Sequence, residues 1–332
     1  MTVKVAEEWL NSCSGCEISL LNIGEALLDL LPELDFVHMP VLMDHKYYGQ
    51  SGEKSRLNIP DAVVGIISGG IRNEEHLEVA EEMRKKCNVI IALGTCATHG
   101  GIPSLINQFH NEDLFERYYR TTETTEPGDT PGLEIPPMLD RCYALDEKIK
   151  VDVYLPGCPP HPDYITEVIS ALLQGRQPDL PMKSVCDTCP TRREGKGSVN
   201  SVSRFTENAH FNPDEPLGAM RCLLEQGLMC MGPVTRAGCA GAHGDSPRCI
   251  SARVPCRGCF GPVKQDGNQL IDMLNALASN GIDFSRMVDR FSLLRFSGAH
   301  RRLIPGRRKQ GAQKASTTST PDCGGSHNGK SS

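Results

Sequence analysis

The cysteines constrain this chain more than any other feature. Fifteen occur in 332 residues. Three C-x-x-C pairs stand among them: Cys13/Cys16, Cys186/Cys189 and Cys256/Cys259. Two intervening residues let one turn present both thiolates to one metal centre. No apolar run is long enough to span a bilayer, and no basic segment followed by an apolar one opens the chain. A cytoplasmic protein is therefore expected. In a reducing compartment so many cysteines read as metal ligands or catalysts, not as staples. The formal charge of -6 gives no footing for nucleic acid as the main partner.

The first half alternates strands and helices. Strands are expected at Val3–Leu10, Asp35–Val41, Ala62–Ser68, Val89–Leu93 and Val151–Leu155. Most are short, β-branched and continuously apolar, as strands buried on both faces are. Helical patterns cover Ile18–Leu31, Glu74–Lys86 and Asp163–Leu173. This grammar predicts an α/β fold with a doubly wound parallel sheet. Arg120–Pro137 reads as an excursion loop. After about Leu180 periodicity fades, and little remains to build an apolar core, so a metal cluster is expected to hold that stretch together. One more helix is expected at Gln269–Ala278. From Pro305 the chain turns basic and then Ser/Thr/Gly-rich, which reads as a flexible tail.

Cys13 and Cys16 follow the first strand, Cys96 the fourth and Cys158 the fifth. In a parallel sheet these places fall at the strands' carboxyl ends, where ligands bind, so four thiolates from three loops can converge there. Eight further cysteines lie between Cys186 and Cys259, enough for two more sets of four. Cys87, Cys142 and Cys323 are left over and read as ordinary residues, at a helix end, beside a loop and in the tail. Three zinc sites are the rival reading. Zinc ligands sit in compact knuckles, whereas iron–sulfur clusters accept widely spread ligands and Cys-Pro steps. The spacing favours iron–sulfur. A redox C-x-x-C of thioredoxin type does not fit among so many other thiols.

The stretches "CSGCEISLLN", "GTCATHGGIPSL", "LPGCPPHPD", "SVCDTCP", "CLLEQGLMCMGPVTRAGC" and "RVPCRGCFGPV" resemble the electron-transferring small subunit of nickel–iron hydrogenases. "MPVLMDHKY" and "GGIRNEE" point to the cytosolic methyl-viologen-reducing, F420-non-reducing type. The resemblance implies a flavodoxin-like N-terminal domain over 1–180. It implies a proximal [4Fe–4S] cluster on Cys13, Cys16, Cys96 and Cys158, facing a nickel–iron centre in a separate large subunit. An irregular two-cluster domain over 181–265 would hold a distal [4Fe–4S] cluster on Cys186, Cys189, Cys222 and Cys230. The same domain would hold a medial one on Cys239, Cys249, Cys256 and Cys259. A helical segment over 266–303 and the tail at 304–332 would complete the chain. No catalytic residue is expected within it.

Arg192, Arg193, Arg236, Arg248, Arg253 and Arg257 flank the second cysteine group, either balancing cluster charge or standing in solvent or against a partner. Glu17 is either a helix N-terminal acid or a residue facing the large subunit. His45, His99 and His161 read as packing or hydrogen-bonding residues. No G-x-G-x-x-G opens a helix and no Walker sequence occurs, so no nucleotide or flavin is expected on this chain. The resemblance leaves the acceptor to a heterodisulfide reductase-like partner reached through a [2Fe–2S] adaptor. The alternatives are an NAD(P)- or F420-coupled module, or a respiratory complex I-like subunit with one cluster.

Overall fold

A computed structural model describes residues 2–306, apart from 125, 196–198, 203–211, 245, 286 and 288. Most of the expected tail, with Cys323, lies outside the described residues. Seven strands order the first half: β1 (Val3–Trp9), β2 (Leu34–His38), β3 (Ala62–Ser68), β4 (Ile71–Asn73), β5 (Cys87–Leu93), β6 (Met138–Tyr143) and β7 (Val153–Leu155). Five form one parallel sheet in the order β2-β1-β3-β5-β7. Counted along the chain as sheet strands, that is 2-1-3-4-5, the flavodoxin-like order. The antiparallel pair β4 and β6 forms a separate ribbon.

The helices are α1 (Gly15–Leu21), α2 (Glu25–Leu30), α3 (Glu74–Lys86), α4 (Gly94–His99), α5 (Asn111–Phe115), α6 (Pro162–Leu173), α7 (Arg248–Ser251) and α8 (Gln269–Ser279). The α3 helix carries its own stop and start signals. Asn73 accepts a hydrogen bond from the His76 N–H, Glu74 and Glu75 open the first turn, and Arg84, Lys85 and Lys86 close the last, each matched to the helix dipole. Val79, Ala80 and Met83 press this helix onto one face of the sheet, against Ile67 and Ile90. Leu20, Leu30, Ile165 and Val168 of α1, α2 and α6 cover the other face, over Val5, Val64 and Ile91. Met83 is fully buried, and Met83→Ala would cost about 2–5 kcal/mol through transfer and cavity terms.

Three expectations are corrected. The single helix over Ile18–Leu31 is two, because α1 ends at Leu21 and the chain turns through Gly24 at φ 71°. The strand expected to reach Val41 stops at His38, two residues before Pro40, which has no N–H to give a ladder. The cysteine-rich half does have apolar cores. Val185, Leu224, Met231, Val234, Met273 and Leu277 gather in one, and Met220, Leu223, Leu228 and Ile250 in another. Met273 and Leu277 lie four residues apart on α8, but the residues before Pro262 have no period because short turns bring them together.

The 266–303 stretch contains α8 and a short 3₁₀ turn at Phe291–Leu294. Asn268 starts α8 by accepting from the Leu270 and Ile271 N–H groups. Beyond the 3₁₀ turn the chain returns to the sheet domain: Gly298 N–H donates to Ser104 Oγ at 3.1 Å and Ala299 N–H to His99 O at 3.2 Å.

Candidate metal centres

Cys13 and Cys16 lie where β1 enters α1, Cys96 is in α4 directly after β5, and Cys158 follows β7. All three places are at the carboxyl end of the sheet, so the topology brings these four thiols together. Burial pushes the Cys16 thiol up, and Glu17, Cys96, Cys13 and Cys158 add to it as neighbouring charges. Cys96 is pushed up to about 12 by burial first, then by Cys158 and Cys13. Space for them is kept by glycines. A Cβ on Gly94, at φ +84°, would stand 2.4 Å from Cys16 Sγ, and one on Gly101 would stand 2.6 Å from Cys96 Sγ. Gly15 N–H points at Cys13 Sγ from 3.4 Å.

Cys186, Cys189, Cys222 and Cys230 ring a cavity of about 290 Å³, far larger than the ~30 Å³ share of one water. Among the described residues, no three Cys, His, Asp or Glu side chains close around a single metal ion. Burial pushes Cys186 up to about 11 and Cys230 up to about 12. Cys239, Cys249, Cys256 and Cys259 line a second cavity of about 80 Å³, and Cys158 stands on its wall. Burial raises Cys239 and Cys256 and pushes Cys259 up to about 12. Cys186, Cys230, Cys239, Cys256 and Cys259 are thereby held toward the protonated thiol. A soft metal centre needs them as thiolates, so binding must release protons, and the attraction to the metal offsets the cost of burying charge. Donors toward sulfur, wide four-thiol spaces and soft ligands suit an iron–sulfur cluster.

A family model described as "NADH ubiquinone oxidoreductase, 20 Kd subunit" matches residues 13–172. A subunit of the vhu F420-non-reducing hydrogenase of Methanocaldococcus jannaschii is 39% identical over 295 residues, 89% of this chain and 94% of the relative. The chain belongs to the small subunits of nickel–iron hydrogenases, F420-non-reducing type. The iron–sulfur subunit of the F420-non-reducing hydrogenase of Archaeoglobus profundus is 34% identical, covering 84% of this small subunit and 88% of that one. The crystal structure of an NAD⁺-reducing [NiFe]-hydrogenase in the H₂-reduced state aligns at a TM-score of 0.49 and 31% identity, over 55% of this chain and 96% of that one. On its sequence relatives, the chain is an iron–sulfur, electron-transferring subunit of an oxidoreductase acting on dihydrogen, whose counterpart is a large subunit.

The arginines of the small subunit divide. Arg193 lines the 186–230 cavity and donates to Cys186 O at 3.4 Å. Arg248 lines the 239–259 cavity. Arg236 is buried and donates twice to Val263 O, at 3.0 and 2.9 Å. Arg192 pairs with Glu194 at 2.7 Å. Arg253 ties Pro213 O and Glu215 O. Arg257 is exposed. His45, His99 and His161 are hydrogen-bonding residues as expected, to Met39 N–H, Thr98 Oγ1 and Asp163 N–H.

Several residues near the sites carry no signal of their place in the local sequence. Cys142 lies one residue from the end of its strand, next to irregular chain at Ala144. It is buried in β6, pushed up to about 11 by burial, and its charge would act on Cys96. Cys87 both caps α3 and begins β5. Glu17 is buried and accepts from Ser68 Oγ at 2.5 Å. Beneath it lies Glu7, with neither carboxylate oxygen partnered, pushed up to about 8 by burial, then by Glu17 and Glu8. On the opposite face Glu8 holds His38 Nε2 at 2.5 Å and accepts from the Tyr47 hydroxyl at 2.8 Å. For this pair of acids the one visible signal is two consecutive glutamates inside an apolar strand.

Proposed function

We propose that this small subunit is a three-cluster relay taking electrons from dihydrogen oxidation in the large subunit to a downstream acceptor. The proximal [4Fe–4S] cluster would be held by Cys13, Cys16, Cys96 and Cys158. The medial one would take Cys239, Cys249, Cys256 and Cys259, and the distal one Cys186, Cys189, Cys222 and Cys230. The observation that carries this reading is continuity. Cys158 stands on the wall of the Cys239–Cys259 cavity, and Cys256 N–H reaches Cys230 Sγ at 3.3 Å. The three sets therefore follow one another in space. Bound clusters supply one-electron carriers. The chain's residues supply thiolates, N–H donors to sulfur and exclusion of water.

The respiratory-type family match ends at residue 172 and so includes the first set alone, whereas the F420-non-reducing relatives, matching 84–89% of the chain, span the later eight cysteines as well. We read the chain as 1–180, 181–265, 266–303 and 304–332; the end of α6 at Leu173 supports the first boundary. The fourteen described cysteines form no disulfide with one another, which leaves their sulfurs available as metal ligands. The relatives are named as F420-non-reducing, which favours a heterodisulfide reductase-like acceptor, reached through a [2Fe–2S] adaptor, over an F420 module. An NAD(P)-coupled module is the second reading. Serine replacement of one cysteine per set tests the relay: each of Cys13→Ser, Cys256→Ser and Cys222→Ser should alter one paramagnetic cluster signal and leave the other two. Variants altering none, or all three alike in an assembled protein, would refute the partition. Co-purification with a heterodisulfide reductase-like protein tests the acceptor, and recovery with a pyridine-nucleotide module would overturn it.

A further inference from the structure

Thr95 holds a place that the cysteine pattern leaves unassigned. It is the second residue of α4, directly before Cys96, and only 1% exposed. Its N–H donates to Gly157 O at 2.8 Å. Gly157 N–H donates back to Thr95 Oγ1 at 2.8 Å, and the Thr95 hydroxyl donates to Cys259 O at 2.7 Å. Gly157 directly precedes Cys158. A threonine hydroxyl has one proton to give and lone pairs to accept with, and here both capacities are used. One side chain thus ties the backbone beside two cysteines of the proximal set to the backbone of a medial cysteine.

We propose that Thr95 is the bridge that couples the proximal site to the medial site, a positioning residue for electron passage. This inference rests on the cluster assignment proposed above. The route runs from Cys158 through the Gly157 N–H, across Thr95 Oγ1, into the Cys259 carbonyl and along Cys259 to its sulfur. Every link is a covalent bond or a hydrogen bond, with no through-space gap between side chains. One electron leaves the proximal site and one arrives at the medial site. Thr95 keeps its proton, and no bond forms or breaks. The two electrons of each dihydrogen cross in succession.

Other contacts also join these segments: Gln265 Nε2 donates to Thr98 O at 3.1 Å, and Ala299 N–H donates to His99 O. They involve residues farther from the cysteine ligands. Thr95→Val fills nearly the same space but leaves the buried Gly157 N–H and the part-buried Cys259 C=O without this partner. Thr95→Ser keeps the hydroxyl, and Thr95→Ala introduces no new atoms.

The test uses the assembled hydrogenase carrying each variant. Iron content and equilibrium paramagnetic spectra are recorded first. Freeze-quenched spectra then follow reduction of the medial site after mixing with dihydrogen, and hydrogen–deuterium exchange reports the large subunit's chemistry. The expected result is several-fold slower medial reduction in Thr95→Val and Thr95→Ala, with iron, equilibrium spectra and exchange as in the parent, and near-parent kinetics in Thr95→Ser. Unslowed medial reduction in Thr95→Val overturns the bridge, as does equal slowing in Thr95→Ser. Loss of iron in both Thr95→Val and Thr95→Ala also overturns it, leaving Thr95 a structural role only. Absence of distinct proximal and medial signals in the parent would instead overturn the cluster assignment, and the bridge with it.

Discussion

The backbone N–H of Cys256 donates to the sulfur of Cys230 across 3.3 Å. In the proposed assignment the two cysteines serve different sets of four, and both are buried. Hydrogen bonds to sulfur and solvent exclusion are among the factors that set cluster potential. This contact therefore ties the environment of one site to the backbone of the next.

The cysteine assignment separates thiols that the sequence alone treats alike. Cys13→Ser and Cys158→Ser remove members of the proximal set and should abolish hydrogen-dependent dye reduction. Cys87→Ser should leave it intact, because Cys87 packs with Ile90 and Met83 in the sheet core, away from any set of four. Dye-reduction assays on the three purified variants decide this, and full activity in Cys158→Ser would contradict it.

Cys249 sits in the four-residue α7, on the wall of the 239–259 cavity. Without its thiolate three remain, and a three-iron cluster needs only three. Cys249→Pro should leave an assembled protein whose medial site becomes [3Fe–4S] with a raised potential, since one negative charge is gone. Electron paramagnetic resonance of the oxidised variant should show the near-isotropic three-iron signal. Retention of every iron with no such signal would mean that Cys249 is not a ligand.

Gly94 takes φ +84°, and any Cβ there meets Cys16 Sγ at 2.4 Å. Gly94→Ala combines backbone strain of about 1–3 kcal/mol with displacement of a proximal sulfur. The variant should melt several degrees lower and lose proximal-site iron while keeping the other two sites. An unchanged melting temperature and iron content would show that the loop absorbs the methyl group.

Glu7 offers a pH dependence with a definite sign. Its pKa is raised from 4.5 to about 8 in the fold, so the native state binds this proton more tightly than the unfolded chain does. The stabilisation is complete below about pH 4.5 and is lost as pH rises through 8, by about 5 kcal/mol at most. Glu7→Gln removes the titration. Its melting temperature relative to the parent should climb steadily between pH 5 and pH 8. A constant difference across that range would show that Glu7 does not titrate there.

The parts of the molecule legible in the sequence were those with a period or a fixed spacing. The bounds of β3 and α3 coincide with their apolar and charge patterns, and strand order alone put Cys13, Cys16, Cys96 and Cys158 at the carboxyl end of the sheet. Cys142 could not, because its strand pairs with the three-residue β4 across a long excursion. The partnership of Glu7 with Glu17 depends on α1 folding over β1, a contact that no local pattern encodes. Thr95 reads as an unremarkable residue in "GTCATHGG". Its role depends on two carbonyls and an N–H brought from residues 157 and 259. The core residues between Leu180 and Pro262 were missed because turns, not helical or strand periods, assemble them, whereas α8, which adds Met273 and Leu277, was legible.

The central claim is that this chain carries three four-iron sites. Iron and acid-labile sulfide, quantified per chain in the anaerobically purified hydrogenase after subtraction of the other subunits' content, test it most directly. About twelve irons with matching sulfide, and no nickel on this subunit, is the result expected. About four irons, or zinc in place of iron, would contradict it.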